Sequence, residues 1–246
     1  MSLIFDRVSF RYGRNAPVFS EFSLRIDARA TVLLGPNGAG KSTLMALAAS
    51  HLSPSSGSVT FEGSAAKGRH LAAYRERVAW IPQQITPMPG LTVREQVAYA
   101  GWLKGMPKDL AWNASEDALR RVDLTRLAGR KSHQVSGGQL RRMGIAGALT
   151  HRSKLILMDE PTAGLDPTQR LVFRELVEDL ADSVQVVVST HQTEDLADLY
   201  TQVVVLAHGK ICFQGGPADF HALAPAATRG RDQAEAAYMM LVGREI

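Results

Sequence analysis

The chain is short of several things, and each shortage excludes a class of function. It holds one cysteine, Cys212, among 246 residues. A single thiol cannot close an intramolecular disulfide, and the count fits a reducing cytosol. No apolar run approaches the roughly 18 to 20 residues of a membrane-spanning helix. The opening MSLIFDRVSF has no basic flank, apolar core and small-residue cleavage site in succession, so no secretory signal is expected. Aromatic residues are only 7%, and the basic residues are scattered without a run of five or six. Clustered positive charge interleaved with stacking rings is thus missing, and no nucleic-acid partner is expected. The formal charge of +4 and pI near 9.4 then read as a solvated basic surface. Internal repeats, low-complexity blocks and long linkers are missing too.

What is present describes an ordinary globular protein, 45% hydrophobic and 21% charged. The length suits one sizeable α/β domain or two closely packed lobes. Residues 3–10 (LIFDRVSF) and 22–26 (FSLRI) alternate apolar with polar, as half-buried antiparallel strands do, and 56–63 (SGSVTFEG) alternates between glycines. TVLL at 31–34 is a continuous apolar run, the mark of a strand covered on both faces. From about residue 85 to 135 the character changes. Thr92 and Glu95 have capping-box spacing, with Val93, Val97 and Ala100 along one face of the helix that follows. Ser115, followed by Glu116 and Asp117, is expected to start a second helix. This stretch reads as a helical insertion with a small core of its own. LILM at 155–158 and VQVVVST at 184–190 resume the buried strands around a helix at about 168–181, and 203–213 reads as two strands about a His-Gly turn. The tail from 217 is expected to be helical.

Gly35-Pro36-Asn37-Gly38-Ala39-Gly40-Lys41-Ser42-Thr43 satisfies the phosphate-loop pattern in its required place, after a strand and before a helix. Its glycines let backbone N–H groups converge on phosphate oxygens, and the helix end adds its dipole. Lys41 is expected to reach the β- and γ-phosphates and Ser42 to ligate Mg²⁺. The strand ending in Asp159-Glu160 presents paired carboxylates where α/β sheets bind ligands. Asp159 is placed to hold Mg²⁺, and Glu160, on the opposite side of the strand direction, to polarise an attacking water. A second glycine loop, VSGGQ at 135–139, heads another helix.

In their order and spacing these segments resemble the nucleotide-binding subunit of an ABC transporter, over nearly the whole chain. VSGGQ resembles that family's signature loop, with Val135 where leucine is usual, and LILMDEPTAGLD at 155–166 resembles its carboxylate strand and D-loop. STHQTEDL at 189–196 puts His191 at the switch histidine, and WIPQQ puts Gln83 at the Q-loop glutamine, with Gln84 leaving the register open by one. Tyr12 falls where an aromatic ring stacks on adenine. The resemblance implies an α/β P-loop NTPase core, 1–84 and 136–246, with an N-terminal antiparallel β subdomain and an inserted helical subdomain at 85–135. It implies an ATPase using ATP and Mg²⁺, with Glu160, His191 and Gln83 catalytic and Ser42, Gln83 and Asp159 around the metal. Ser136, Gly137, Gly138 and Gln139 would bind the γ-phosphate of ATP held by the other cassette of a head-to-tail dimer, of identical or different chains. It further implies a membrane-spanning partner subunit and a place on the cytoplasmic face of the cell membrane. The groove beside 84–105, with Met88, Leu91, Tyr99, Trp102 and Met106, is the face expected to meet that partner. GLTVREQVAYAGWLKGM and PTAGLDPTQR are similar to bacterial exporters of the ABC-2 type, and no regulatory C-terminal domain of the kind some importers carry is read. Export is the favoured direction. The rival readings are a soluble single-domain ATPase of the same family and a nucleotide-binding regulator without hydrolysis. The presence of Glu160, Gln83 and His191 counts against the second.

Overall fold

The strand Ala30–Leu34 (β3) is buried at all five positions, because Val32 and Leu34 face one hydrophobic cluster and Leu33 the other, on opposite faces of its sheet. The computed structural model describes residues 1–193, 199–225, 228 and 232–243. Six strands form the main sheet in the order Lys210–Gly215 (β10), Gln202–Ala207 (β9), β3, Gln185–Thr190 (β8), Leu155–Asp159 (β7) and Val78–Ile81 (β6). All neighbouring pairs are parallel except β10 on β9. Parallel strands need both faces covered, which is why β3, β7 and β8 read as unbroken apolar runs. A second, antiparallel sheet runs Phe19–Ile26 (β2), Leu3–Phe10 (β1), Ser56–Phe61 (β4) and Ser64–Ala65 (β5).

The expected alternation in β1 slips partway. Arg7 has φ 45 and Glu21 has φ 50, and the β1–β2 register shifts beyond Phe5. The bulge re-aims the strand so that Phe5, Val8 and Phe10 all remain inside. β2 begins at Phe19, three residues before the expected start, because Phe19 pairs with Phe10 and is buried. Besides the two-residue β5, two elements went unforeseen, the helix Leu71–Arg77 (α2) and the strand β6. Both are short, and only the sheet edge beside β7 makes β6 a strand.

The helix Lys41–Ala48 (α1) follows the phosphate loop. Thr92 caps Val93–Leu103 (α3) with the full capping box to Glu95. Ser115 does not start a helix. The second helix runs Lys108–Arg121 (α4) from Pro107, and Ser115 is buried in its middle, donating its hydroxyl to the Trp112 carbonyl. A serine followed by acids is a cap signal only where the preceding residues leave the helix. Val93, Val97, Ala118 and Leu119 do not form a separate core either. They join one continuous cluster with Val32, Ile156 and Val188 of the main sheet, across the helix Gly137–Thr150 (α5). Gly101 and Gly147 permit this close packing, since a Cβ at Gly101 would lie 2.7 Å from Thr150 Cγ2 and one at Gly147 3.1 Å from Ala100. The helix Pro167–Ala181 (α6) covers the sheet between β7 and β8, and Pro217–His221 (α7) and Asp232–Val242 (α8) supply the helical tail. Residues 194–196, the end of STHQTEDL, lie outside the described residues.

Candidate nucleotide site

The C-terminal ends of β3, β7 and β8 meet, and each delivers part of one polar cluster. Gly35 leaves β3 where a Cβ would sit 2.2 Å from the Leu206 carbonyl oxygen of β9, so only glycine lets the loop turn there. Gly38 and Gly40 have φ 83 and 104, and Gly40 is the left-handed cap residue from which α1 starts. Asn37, Gly38 and Ser42 are exposed along this turn, while Ala39 packs inside and donates through its N–H to Pro36. Lys41 is the first residue of α1 and only 5% exposed. Its ammonium donates to the carbonyls of Gly35 (2.6 Å) and Pro36 (3.1 Å) and stands 3.4 Å from Glu160 Oε1. A buried lysine is tolerable because all of these partners carry negative or partial negative charge.

Asp159 ends β7, and Glu160 lies just beyond it with φ 46. Glu160 is therefore off the strand, and its direction is set by this turn rather than by strand alternation. A left-handed conformation in a non-glycine residue stores strain and persists only where neighbours hold it. Here the Glu160 N–H donates to both the carbonyl and the hydroxyl of Ser189, each at 3.1 Å. The same Ser189 hydroxyl donates to Asp159 Oδ1 at 2.5 Å. One side chain thus ties the two carboxylate residues together. Glu160 Oε2 lies 2.9 Å from His191 Nδ1, so Lys41, Glu160 and His191 form a continuous chain from the phosphate loop to the end of β8. Glu160 is buried, and His191 is exposed.

The other expected residues take more scattered positions. Tyr12 is 47% exposed, stands edge-on to Phe10, and its hydroxyl is 3.2 Å from Thr43 Oγ1. Its ring is thereby anchored beside the phosphate loop. Gln83 and Gln84 are both exposed just past the end of β6, so the one-residue ambiguity between them stands. Gln83 is not hydrogen-bonded to the Lys41–Glu160–His191 chain. Ser136 caps α5, accepting from the Gln139 N–H while Gln139 Oε1 accepts from the Ser136 N–H. The box uses two donors and leaves the Gly137 and Gly138 N–H groups of the first turn, which have no partner within a helix. Ser136 and Gly137 are exposed. No hydrogen bond joins this loop to the chain's own phosphate loop.

Two side chains that sequence reasoning passed over hold this arrangement. Ser189 is one. Arg141 is the other, donating from α5 to the carbonyls of Glu160 (2.8 Å) and Ala163 (2.5 Å). Burial pulls its guanidinium below the usual arginine value. Nothing in the local sequence separates Arg141 from the adjacent Arg142, which bonds the Val122 and Asp123 carbonyls instead.

Among the described residues, no group of three or more His, Cys, Asp or Glu side chains gathers closely enough to hold a metal unaided. The donors expected around Mg²⁺ are the Ser42 hydroxyl, the Gln83 amide oxygen and the Asp159 carboxylate. Hard oxygens of this kind suit Mg²⁺, which keeps waters and takes substrate phosphates rather than a full protein cage. The donor chemistry fits the ion.

The ABC transporter family model matches residues 20–163, a span running from β2 to the turn after Glu160. The phosphonates import ATP-binding protein PhnC of Thiobacillus denitrificans is 35% identical over 206 residues, 79% of each chain. The linearmycin resistance ATP-binding protein LnrL of Bacillus subtilis is 32% identical over 216 residues, 87% of this chain and 69% of LnrL. The energy-coupling factor transporter ATP-binding protein EcfA2 of Lactococcus lactis is 35% identical, covering 87% of this chain and 79% of its own. Among solved structures, cbiO1 of Clostridium perfringens, part of the ABC transporter complex cbiONQ, superposes with a TM-score of 0.78 at 27% identity, covering 89% of this chain and 90% of that one. The dimeric bacterial ABC transporter cassette MJ0796, also solved in a post-hydrolysis state with ADP and Pi, superposes with a TM-score of 0.76 at 25% identity, covering 87% and 98%. With a family match over more than half its length and relatives of this identity and coverage, the chain belongs to the ABC transporter family and is one of its ATPases.

Proposed function

We propose that the chain is the ATP-hydrolysing subunit of a transporter, closing head to tail on a second cassette and driving a separate membrane-spanning subunit. The observation that carries this reading is the Lys41–Glu160–His191 chain at the strand ends, set beside an exposed, self-capped Ser136–Gly138 turn in the same molecule. The first is a hydrolytic half-site. The second is an anion-binding helix start without a phosphate loop of its own.

In this reading the backbone of Gly35–Thr43 cradles the phosphates, and Lys41 exchanges its loop carbonyls for β- and γ-phosphate oxygens. Ser42, Gln83 and Asp159 hold Mg²⁺, which when bound neutralises charge building on the phosphates. Glu160 orients and polarises the attacking water, and His191 keeps that carboxylate in register while facing the γ-phosphate. Tyr12 stacks on the base. Ser136, Gly137, Gly138 and Gln139 of a second copy close the site, leaving two ATPs between two cassettes. Whether those cassettes are identical is a property of the assembly.

The membrane-spanning partner is assigned to a groove of about 680 Å³ between α2, β6, α3 and α5, lined in part by Arg75, Trp80, Ile85, Leu103, Lys104 and His151. Met88, Leu91, Tyr99, Trp102 and Met106, the side chains expected on the face beside 84–105, lie outside this groove, which takes Ile85, Gln96 and Ala100 from the same stretch. Trp102 instead packs its ring 5.4 Å from Tyr99 on the exposed side of α3. The subunit then sits at the cytoplasmic face of the membrane; no described helix is long and apolar enough to cross one. Export is the direction proposed, on the likeness of residues 90–106 and 161–170 to ABC-2-type subunits. The named relatives serve phosphonate import in one case and linearmycin resistance in another, so a vesicle assay with the purified assembly is the measurement that decides direction.

The central test is ATP-driven association. Glu160→Gln with ATP is expected to form a stable dimer by light scattering, and Ser136→Arg in that background is expected to bind ATP but stay monomeric. A Ser136→Arg protein that dimerises and turns over normally overturns the shared-site reading. Purification without any membrane-spanning subunit would favour a soluble ATPase instead.

A further inference from the structure

The turn that carries Glu160 is pinned at both ends of one residue, by two different elements. Its N–H is held by Ser189 at the end of β8, and its carbonyl is held by Arg141 on α5. Arg141 reaches on to the Ala163 carbonyl, so a single guanidinium clamps the start and end of the turn 160–163. Its planar fork can bridge two carbonyls at once, which an ammonium cannot do in the same geometry. One helical turn earlier on the same face, Gly138 lies against α6, where a Cβ would stand 2.9 Å from Gln169 Oε1. Gln169 is itself fixed, its N–H donating to Asp166 at 2.9 Å. The first two turns of α5 and the segment from Glu160 to Gln169 therefore abut at two points, Gly138 and Arg141.

From this geometry we infer that Arg141 is a positioning residue that couples the two ATP sites of the dimer. The inference rests on the shared-site reading above. In that arrangement the N-terminus of α5 meets the nucleotide held by the second cassette, while Glu160 serves the nucleotide held by its own phosphate loop. Arg141 is the rigid link between them within one chain. Seating Ser136–Gly138 on the second cassette's γ-phosphate fixes α5, and the guanidinium passes that placement to the Glu160 carbonyl. Because Glu160 sits at φ 46, its backbone keeps this conformation only while both ends are held, and its carboxylate direction follows. Each site thus gains an aligned Glu160 when the other is occupied, a coupling of the kind that appears as cooperativity in ATP.

The test uses the full-length chain with Arg141→Met and Arg141→Lys, and with Arg141→Met added to Glu160→Gln. Wild type is expected to hydrolyse ATP with a Hill coefficient above 1. Arg141→Met is expected to lower kcat by roughly 10-fold or more, as a displaced catalytic group does, and to bring the Hill coefficient toward 1. Its KM and thermal midpoint stay close to wild type, and the double variant still dimerises with ATP. Arg141→Lys recovers part of kcat by keeping one carbonyl contact. A kcat and Hill coefficient within twofold of wild type in Arg141→Met overturn the inference, as does a wild-type coefficient of 1. Loss of ATP binding in step with kcat and melting, without recovery in Arg141→Lys, also overturns it by assigning Arg141 a purely structural part. If Glu160→Gln alone stays monomeric in ATP, the shared-site reading falls and takes this inference with it; if it dimerises, only the coupling is at stake.

Discussion

His191 Nδ1 lies 2.9 Å from Glu160 Oε2, while the other oxygen of the same carboxylate faces Lys41 at 3.4 Å. One buried carboxylate is thus shared between the lysine of the glycine loop and an exposed histidine. In the proposed mechanism Lys41 turns to phosphate, and His191 is then the side chain left on the Glu160 carboxylate.

Glu160→Gln is expected to retain ATP binding and to lower turnover by roughly 10²-fold or more, since it keeps the shape but loses the base. His191→Ala is expected to lower kcat with little change in ATP affinity, because it touches the carboxylate and not the cradle. Phosphate release and nucleotide titration measure both. Unchanged turnover in Glu160→Gln would remove that residue from the chemistry.

Ser189→Ala removes the hydroxyl that donates to Asp159 and accepts from the Glu160 N–H. Asp159, Glu160 and Ser189 are all buried; the Glu160 N–H keeps the Ser189 carbonyl, but the Asp159 carboxylate loses a donor, at a cost of about 1–3 kcal/mol. Turnover should fall further than stability alone explains, and Ser189→Thr, which keeps the hydroxyl, should restore part of it. Urea denaturation and phosphate release separate the two effects.

Two glycines should respond in opposite ways. Gly35→Ala places a Cβ against the Leu206 carbonyl, so the loop must move, stability should drop by about 1–3 kcal/mol and ATP affinity should fall. Gly137→Ala meets nothing within 4 Å in its own chain, and alanine suits the first turn of a helix. Its melting temperature and monomer ATP affinity should therefore hold while dimerisation and turnover fall, because on the shared-site reading the added methyl meets only a second cassette. Equal turnover in Gly137→Ala would mean that nothing docks on that turn.

His151 should give the fold a pH dependence remote from the site. Its Nδ1 lies 3.1 Å from the Glu76 carbonyl, and burial, reinforced by Lys104, lowers its pKa from 6.5 to about 4. Between those values the unfolded chain holds more protons than the folded one, so stability rises with pH in this window. It is fully present above pH 6.5 and lost as the pH falls toward 4. Reduced for partial exposure, the change is about 2 kcal/mol. His151→Asn should flatten the urea midpoint across this range, and an unaltered slope would place the titration elsewhere.

Much of the chain was legible without coordinates. The buried runs of β3, β7 and β8, the Thr92 capping box and the glycine pattern of 35–43 all depend on neighbours within a few residues, so local chemistry specifies them. The phosphate loop with its downstream carboxylates narrowed the chemistry to triphosphate hydrolysis, and the order of the motifs named the family. The misplaced start of α4 was a local misreading, since the helix already runs from Pro107; the unforeseen β6 and the separate core expected for 85–135 were settled by packing against residues far along the chain. The same holds at the site. Sequence alone proposed Asp159, Glu160 and His191, but the hydroxyl joining the first two and the guanidinium fixing the second come from residues 30 and 19 positions away. Arg141 and Arg142 are chemically identical neighbours, and only the direction each faces on α5 gives one to Glu160 and the other to Val122. Residue type and spacing set what chemistry is available here; the folded backbone alone decided which groups touch.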